Sequence, residues 1–170
     1  MVGPTIQDKL FTHLTRFRTH TYVLTADIEQ MYRQILLHPD DRNFQLIFWY
    51  YEGKQYVYRL NTVTFGIKPS PFLAIRAVNQ LADDESKNFP RASKIVKRDL
   101  YVDNLLTGAN SLKKILEIRN EIIDLCKLGC LNIRQWASNH QHAFDNIHEK
   151  LFHSENMIDE GFVINTLEVS

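Results

Sequence analysis

The sequence predicts an α+β domain in which an antiparallel sheet carries helices on one face, in the order β-α-β-β-α-β. Three observations predict it. Short runs rich in β-branched and aromatic residues alternate with longer segments of helical periodicity. Glu52-Gly53-Lys54 separates two aromatic runs and marks a hairpin. The remaining β-rich runs are separated by hairpins or single helices.

The elements follow in order. Residues 5–18 place Ile6, Leu10, Phe11, Leu14 and Phe17 at helical spacing behind a Pro4-Thr5 start signal. Residues 21–28 are apolar and read as a buried strand, followed by a helical turn over 29–34. Residues 43–51 and 55–63 are the two hairpin strands. A loop over 64–69, with Gly66 and Pro69, leads to Ser70-Pro71, an N-cap and a proline at the first helical position. That helix should bury Phe72, Ile75, Val78 and Leu81. Residues 83–88 form a polar helix end and loop, and 90–98 a second, shorter helix.

Residues 100–106 are apolar except at Asp103-Asn104 and are closed by Gly108, which predicts two short strands around a tight turn. Ser111 caps the strongest helix, with Leu112, Ile115, Leu116, Ile122, Ile123 and Cys126 on its face and Gly129 as its stop. Residues 131–137 form another strand. Residues 143–152 read as helical and 162–169 as a final strand.

Composition bounds the function. At 170 residues, 44% hydrophobic and 24% charged, the chain suits one compact domain or a piece of a larger protein. Disorder and a disulfide scaffold are excluded. No apolar run approaches the roughly 20 residues that span a bilayer, and Met1-Val2-Gly3-Pro4 has no signal-peptide character, so no membrane partner and no secretion are expected. Net charge is zero, but residues 1–140 hold 19 of the 20 Lys and Arg against 14 of the 20 acids. An acidic tail masks a mildly basic body, which suits an anionic partner. Cys126 and Cys130 lie four apart on one predicted helix, too few for a zinc site, and read as two buried thiols.

Most acids sit where solvated acids belong: Asp40-Asp41 in a turn, Asp83-Asp84-Glu85 at a helix end. Asp27 and Asp103 do not. Asp27 closes the apolar run Tyr22-Val23-Leu24-Thr25-Ala26, and Asp103 interrupts Leu100-Tyr101-Val102-Asp103-Asn104-Leu105-Leu106. A lone carboxylate among apolar strand residues is costly unless paired or metal-bound. Two of them on neighbouring strands would repel and invite a hard divalent cation. Ordinary strand-end acids are the alternative.

Tyr101-Val102-Asp103-Asn104 resembles the YxDD box of reverse transcriptases, with its last Asp changed to Asn. Leu24-Thr25-Ala26-Asp27-Ile28-Glu29-Gln30-Met31-Tyr32 is similar to the first catalytic motif of that family. Residues 60–66 and 70–76 resemble its nucleotide-binding loop and the helix behind it. Gly3-Pro4 through Leu10, Leu14-Thr15-Arg16-Phe17-Arg18, Met31-Tyr32-Arg33-Gln34-Ile35 and Leu131-Asn132-Ile133-Arg134-Gln135-Trp136 resemble the BEL/Pao class of LTR retrotransposons. The likeness covers residues 3–138. Beyond it, Asn165-Thr166-Leu167-Glu168-Val169 resembles a primer-grip strand with Glu168 in place of the usual Gly.

The resemblance implies a polymerase palm over residues 1–138, with incomplete fingers, no full thumb, and a C-terminal extension over 139–170. It implies RNA-directed DNA polymerase activity with two Mg²⁺ ions, Mn²⁺ being the alternative, on an RNA or DNA template with primer and deoxynucleoside triphosphates. Asp27, Asp103 and the Ile28 backbone carbonyl would ligate metal. Tyr32 would be the steric gate against a ribose 2′-hydroxyl, a core tyrosine being the alternative. Phe65 and Gly66 would support the nucleotide, and Lys68 would meet phosphate or template unless it is simply solvated. Tyr101 and Val102 would face the primer end. Asn104 removes one of three catalytic carboxylates, so activity should be impaired. Arg16, Arg18, Lys94, Lys97 and Arg98 are candidates for residual nucleic-acid contact or for plain solvated surface. The rest of a retroelement polyprotein is the expected partner, and a cytoplasmic particle the expected location. A non-catalytic remnant that binds nucleic acid or a partner is the competing reading. A nucleotide cyclase, also built on paired acids, is a weaker one, opposed by the loop over 62–72.

Overall fold

The computed structural model describes residues 3–158. Helix α1 (Leu10–Phe17) leads into strand β1 (Tyr22–Ile28). Short 3₁₀ turns at Met31–Gln34 and Pro39–Phe44 precede the hairpin strands β2 (Leu46–Tyr51) and β3 (Lys54–Arg59). Helices α2 (Ser70–Asp84) and α3 (Pro90–Asp99) follow, then β4 (Leu100–Tyr101), β5 (Asn104–Ala109), α4 (Leu112–Leu128) and β6 (Ile133–Ser138). Two further 3₁₀ turns, Gln141–Phe144 and Glu149–Leu151, lead to β7 (Phe152–Met157).

The main sheet has the order β4-β5-β1-β6-β7, with β1 central and antiparallel to both β5 and β6. Its first four strands realise the β-α-β-β-α-β plan. The fifth departs from an all-antiparallel sheet: β7 returns through the two 3₁₀ turns and runs parallel to β6. Period-two alternation divides β1. Leu24, Ala26 and Ile28 enter the main core with α2, α3 and α4, while Val23 joins Phe17 and Leu106 in a small cluster that is separate from it. Three helices thus form the expected layer, and α1 contributes Phe17 to the other cluster.

Packing decides the helix faces. On α2 the buried positions are Ser70, Ala74, Val78 and Ala82, while the larger Phe72, Ile75 and Leu81 are only half-buried. Residues four apart stack on one stripe, and small ones there admit a close neighbour. On α4 the buried stripe runs through Ile115, Ile118, Ile122, Leu125 and Cys126, with Arg119 buried among them. Ser111 caps it as expected, its Oγ accepting from the Lys114 N–H.

Three expectations are corrected. Helix α1 begins at Leu10 rather than near Thr5, because the segment before it packs as a strap: a Cβ on Gly3 would lie 2.1 Å from Phe72 Cγ. Gly129 ends α4 as expected, at φ −84, with a Cβ there lying 2.5 Å from the tip of Leu81, and the left-handed residue that follows is Cys130 (φ 55). Cys130 is therefore off the helix and exposed, whereas Cys126 is buried, its thiol pushed up to about 12 by burial. Residues 143–152 are not helical, because the Arg119 guanidinium donates to the carbonyls of Ala143 and Asp145 and holds that stretch in turns. The strand expected over 162–169 lies outside the described residues.

The hairpin β2–β3 forms its own two-stranded sheet. Glu52 (φ 49) and Gly53 (φ 74) both occupy the left-handed region, the two-residue turn that matches strand twist. All six residues of each strand are exposed. Trp49 lies there, exposed, whereas Trp136 on β6 is fully buried.

Candidate active site

The site is built at one end of the β1–β5 pair. Asp27 and Asn104 are directly opposed in the register. The ladder continues one step further, with the Ile28 N–H donating to the Asp103 carbonyl at 2.9 Å. Tyr101 pairs with Asn104, so Val102 and Asp103 are the two central residues of a tight hairpin turn. Val102 stands at φ 56, a conformation that a β-branched residue adopts only under constraint. Sequence had placed Asp27 and Asp103 on neighbouring strands, and the fold brings both to the same strand end.

Asp27 is half-buried, and its pKa is raised to about 6. Burial is the largest cause, the Asp103 carboxylate the next; Arg134 acts in the opposite direction and Glu29 adds a smaller repulsion. A carboxylate raised by a neighbouring carboxylate in this way is what a bound divalent cation would relieve. Asn104 donates from Nδ2 to Asp103 Oδ1 at 2.9 Å. The Asn104 amide thus acts as a hydrogen-bond donor to its neighbour.

The ring of Tyr32, in the 3₁₀ turn after β1, meets Phe65 edge-on, with centroids 4.7 Å apart at 83°. Its hydroxyl pKa is raised, first by burial and then by the Asp103 charge, which places the ring on the carboxylate side of the turn. Phe65 is exposed on its outer side. Gly66 stands at φ 79, and a Cβ there would meet nothing within 4 Å, so the backbone conformation and not crowding calls for glycine. Lys68 is exposed two residues further along the same loop.

A polar seam fixes the chain after Asp27. The Glu29 N–H donates to the Asn132 carbonyl at 2.9 Å, and the Asn132 N–H donates to Gln34 Oε1 at 2.7 Å. Gln34 Nε2 donates to the Glu29 carbonyl, and Asn132 Nδ2 to the Glu29 carboxylate. Arg134 faces Asp27 across the β1–β6 pair and forms an ion pair with Glu29 at 3.0 Å. Arg134 and Glu29 were not picked out from sequence as site residues. Strand alternation alone could have found Arg134, but only once the register with β1 was known. Among the candidate basic contacts, Arg16 and Arg98 are engaged with Asp99, and Lys97 with Asp83.

Among the described residues, no group of three or more His, Cys, Asp or Glu side chains is arranged as a metal cluster. The donors that do converge, two carboxylates at a strand end, are hard oxygens that suit Mg²⁺ or Mn²⁺, ions commonly held by one or two protein carboxylates plus substrate phosphate. The residues present therefore fit such an ion, with fewer charges than three carboxylates would give.

An α+β sheet with paired acids at a strand end and in the adjoining turn is palm-like. The profile of the family described as reverse transcriptase (RNA-dependent DNA polymerase) matches residues 3–135, and the chain belongs to that family. Among solved structures it is similar to a foamy viral protease-reverse transcriptase in complex with an RNA/DNA hybrid, at 21% identity and a TM-score of 0.53. The match covers 74% of this chain and 15% of that one, so the chain spans a small part of its neighbour's length. Comparison with curated proteins returns no match. No helix among the described residues is long and apolar enough to cross a membrane.

Proposed function

We propose that this chain is the palm of an RNA-directed DNA polymerase from a BEL/Pao-type LTR retrotransposon, with partial fingers over residues 1–138 and a C-terminal extension over 139–170 that carries a truncated primer grip. The observation that carries this reading is the convergence of Asp27 and Asp103 at one strand end, close enough that Asp103 helps raise Asp27 to about 6.

Asp27, Asp103 and the Ile28 carbonyl would hold two Mg²⁺ or Mn²⁺ ions. When bound, such ions make the primer 3′-hydroxyl a better nucleophile and neutralise the departing pyrophosphate. The chain's own residues do the rest. Asp27, ionised above about pH 6, supplies a full charge at the strand end. Tyr32, braced edge-on by Phe65, presents a fixed ring where a ribose 2′-hydroxyl would lie. Phe65 and Gly66 support the incoming deoxynucleoside triphosphate, and Lys68 reaches its phosphates or the template. Tyr101 and Val102 hold the primer end. Template, primer and the remainder of the polyprotein are the partners, and a cytoplasmic particle is the setting.

Asn104 weakens this centre. It brings no charge, and its amide donates to Asp103 and so draws on a ligand oxygen. The same hydrogen bond favours a second reading, a non-catalytic remnant retained for binding nucleic acid or a partner. Primer extension on an RNA template, with Mg²⁺ and separately Mn²⁺, separates the two when the chain is run beside Asn104→Asp and Asp27→Asn. Extension that disappears in Asp27→Asn supports a working palm. Extension seen only in Asn104→Asp attributes the loss to the missing carboxylate. No extension by any of the three favours the remnant.

A further inference from the structure

The strap that precedes α1, and α1 itself, have no part in the chemistry above, yet they touch both walls of the site. Gly3 lies against Phe72 of α2, the helix that follows the nucleotide loop. Four residues on, Gln7 Oε1 accepts a hydrogen bond from the Val102 backbone N–H at 3.3 Å. His13 on α1 is buried and meets the Tyr101 ring edge-on, with centroids 5.5 Å apart at 66°. Its ring nitrogens make no well-formed hydrogen bond, although the Asp8 carbonyl is near, and burial first, then Arg16, lowers the imidazole pKa. His13 therefore packs as a neutral ring.

Arg16 secures the segment. Its guanidinium donates to the Arg98 carbonyl at 2.6 Å, to Asp99 Oδ1 at 3.3 Å and to Asp8 Oδ2 at 3.1 Å. Asp99 is buried and also accepts from Thr107 on β5 at 2.8 Å. The anchor is thus tied to the strand that carries Asn104.

The turn needs such support. A left-handed valine is unfavourable and persists only where its surroundings over-determine it. In a two-residue hairpin turn the first central N–H has no partner in the ladder, and a buried donor left unpaired is costly. Gln7 provides that partner.

We propose that residues 7–16 are a positioning brace for the turn 101–104, in which Gln7 fixes the Val102 N–H, His13 sets the Tyr101 ring, and Arg16 anchors both to Asp99. Gln7 and His13 are positioning residues that act through Val102 and Tyr101. The shape of the turn stands apart from the polymerase reading; only the consequence for metal binding rests on it.

The test uses the full chain with Gln7→Leu, Gln7→Glu, His13→Ala and His13→Phe. Amide hydrogen exchange of Val102 and the ring signals of Tyr101 are followed by NMR, and Mn²⁺ affinity by calorimetry. Losing one hydrogen bond should speed Val102 exchange about threefold to tenfold in Gln7→Leu, with the urea midpoint falling by no more than that one bond accounts for and Mn²⁺ affinity weakened by about threefold. Gln7→Glu keeps an acceptor and should restore slow exchange. His13→Phe should keep the Tyr101 ring signals and His13→Ala should shift them. Val102 exchange in Gln7→Leu equal to the parent, or Gln7→Glu exchanging as fast as Gln7→Leu, overturns the brace. An Asp27→Asn chain titrated in parallel keeps the two proposals apart. If it binds Mn²⁺ as well as the parent, the metal reading of the site fails, and Val102 exchange alone then decides the brace.

Discussion

The carboxylate end of β1 and β5 and the β2–β3 hairpin are built from similar strand-forming residues and live in opposite environments. Leading to Asp27, Leu24, Ala26 and Ile28 enter the main core, and β1 is laddered on both sides by β5 and β6. On the hairpin, Phe48 is 69% and Tyr50 72% exposed, and no residue of either strand is buried. The first region is fixed by packing it shares with three helices. The second is held by its own ladder and its turn, and an isolated two-stranded hairpin is marginal in water. Strand propensity is therefore common to both, and burial is what separates a region that holds a left-handed valine from one whose left-handed residues are Glu52 and Gly53 of an exposed turn. Substitutions should divide along the same line.

The largest effect is expected where the sheet meets its helices. Trp136 is completely buried, and its indole N–H has no hydrogen-bond partner among the described residues, so its contribution is chiefly packing. Trp136→Ala should cost about 3–5 kcal/mol. A urea midpoint within experimental error of the parent would show that the sheet is not the stable unit assumed here.

Asp27→Asn comes next and should act in two directions. Where the parent, or Asn104→Asp, extends a primer, the variant should lose about a hundredfold or more, since ligand charge is removed from the metal centre. Stability should move the other way. A folded pKa of about 6 against the usual 3.8 means that the ionised form is disfavoured by folding. Stability is greatest below the lower value, falls as pH rises through about 6, and then levels off. Screening of this half-exposed group limits the penalty to about 1–2 kcal/mol. Asp27→Asn should therefore be more stable than the parent at pH 8 and equal to it at pH 4, read by thermal unfolding at both. Saturating Mn²⁺ should raise the parent's midpoint at pH 8 and leave that of Asp27→Asn unmoved. Equal midpoints for the two chains at pH 8 without metal would remove the argument that this end stores electrostatic strain.

Val102→Gly tests the backbone part of that strain. Glycine occupies φ 56 without penalty, so the variant should gain about 0.5–1 kcal/mol once its looser unfolded state is counted. A loss of stability would mean that the valine side chain contributes more packing than its backbone costs.

The contrast also explains what the sequence disclosed. Asp27 and Asp103 were legible because each interrupts an apolar run, an anomaly visible without a structure. The hairpin turn was legible because left-handed positions favour glycine, and Gly53 supplies one of them. Arg134 was not, since its place opposite Asp27 depends on a register that spans more than a hundred residues. The strap before Leu10 was misread as helix because Ile6 continues the helical spacing, while its true determinants, Phe72 and Val102, are distant in the chain. Gly129 was legible as the end of α4, where it stands as the C-cap. Local patterns survive where the chain's own geometry decides, and fail where a distant surface does.

The smallest effect is expected on the hairpin, where it separates propensity from burial most directly. Phe48 faces Val57 and Tyr50 faces Gln55 across the strands, on one face of the pair. Phe48→Thr with Tyr50→Thr keeps β-propensity and removes two aromatic rings from solvent-exposed positions. Cross-strand pairs contribute roughly 0.2–1 kcal/mol each, and exposed substitutions usually fall within about 0.5 kcal/mol. The double variant should therefore change the global unfolding free energy by less than about 1 kcal/mol while reducing the binding of a hydrophobic dye. A cost above about 1.5 kcal/mol would require buried rings, and the hairpin would then belong with the sheet rather than stand opposite it.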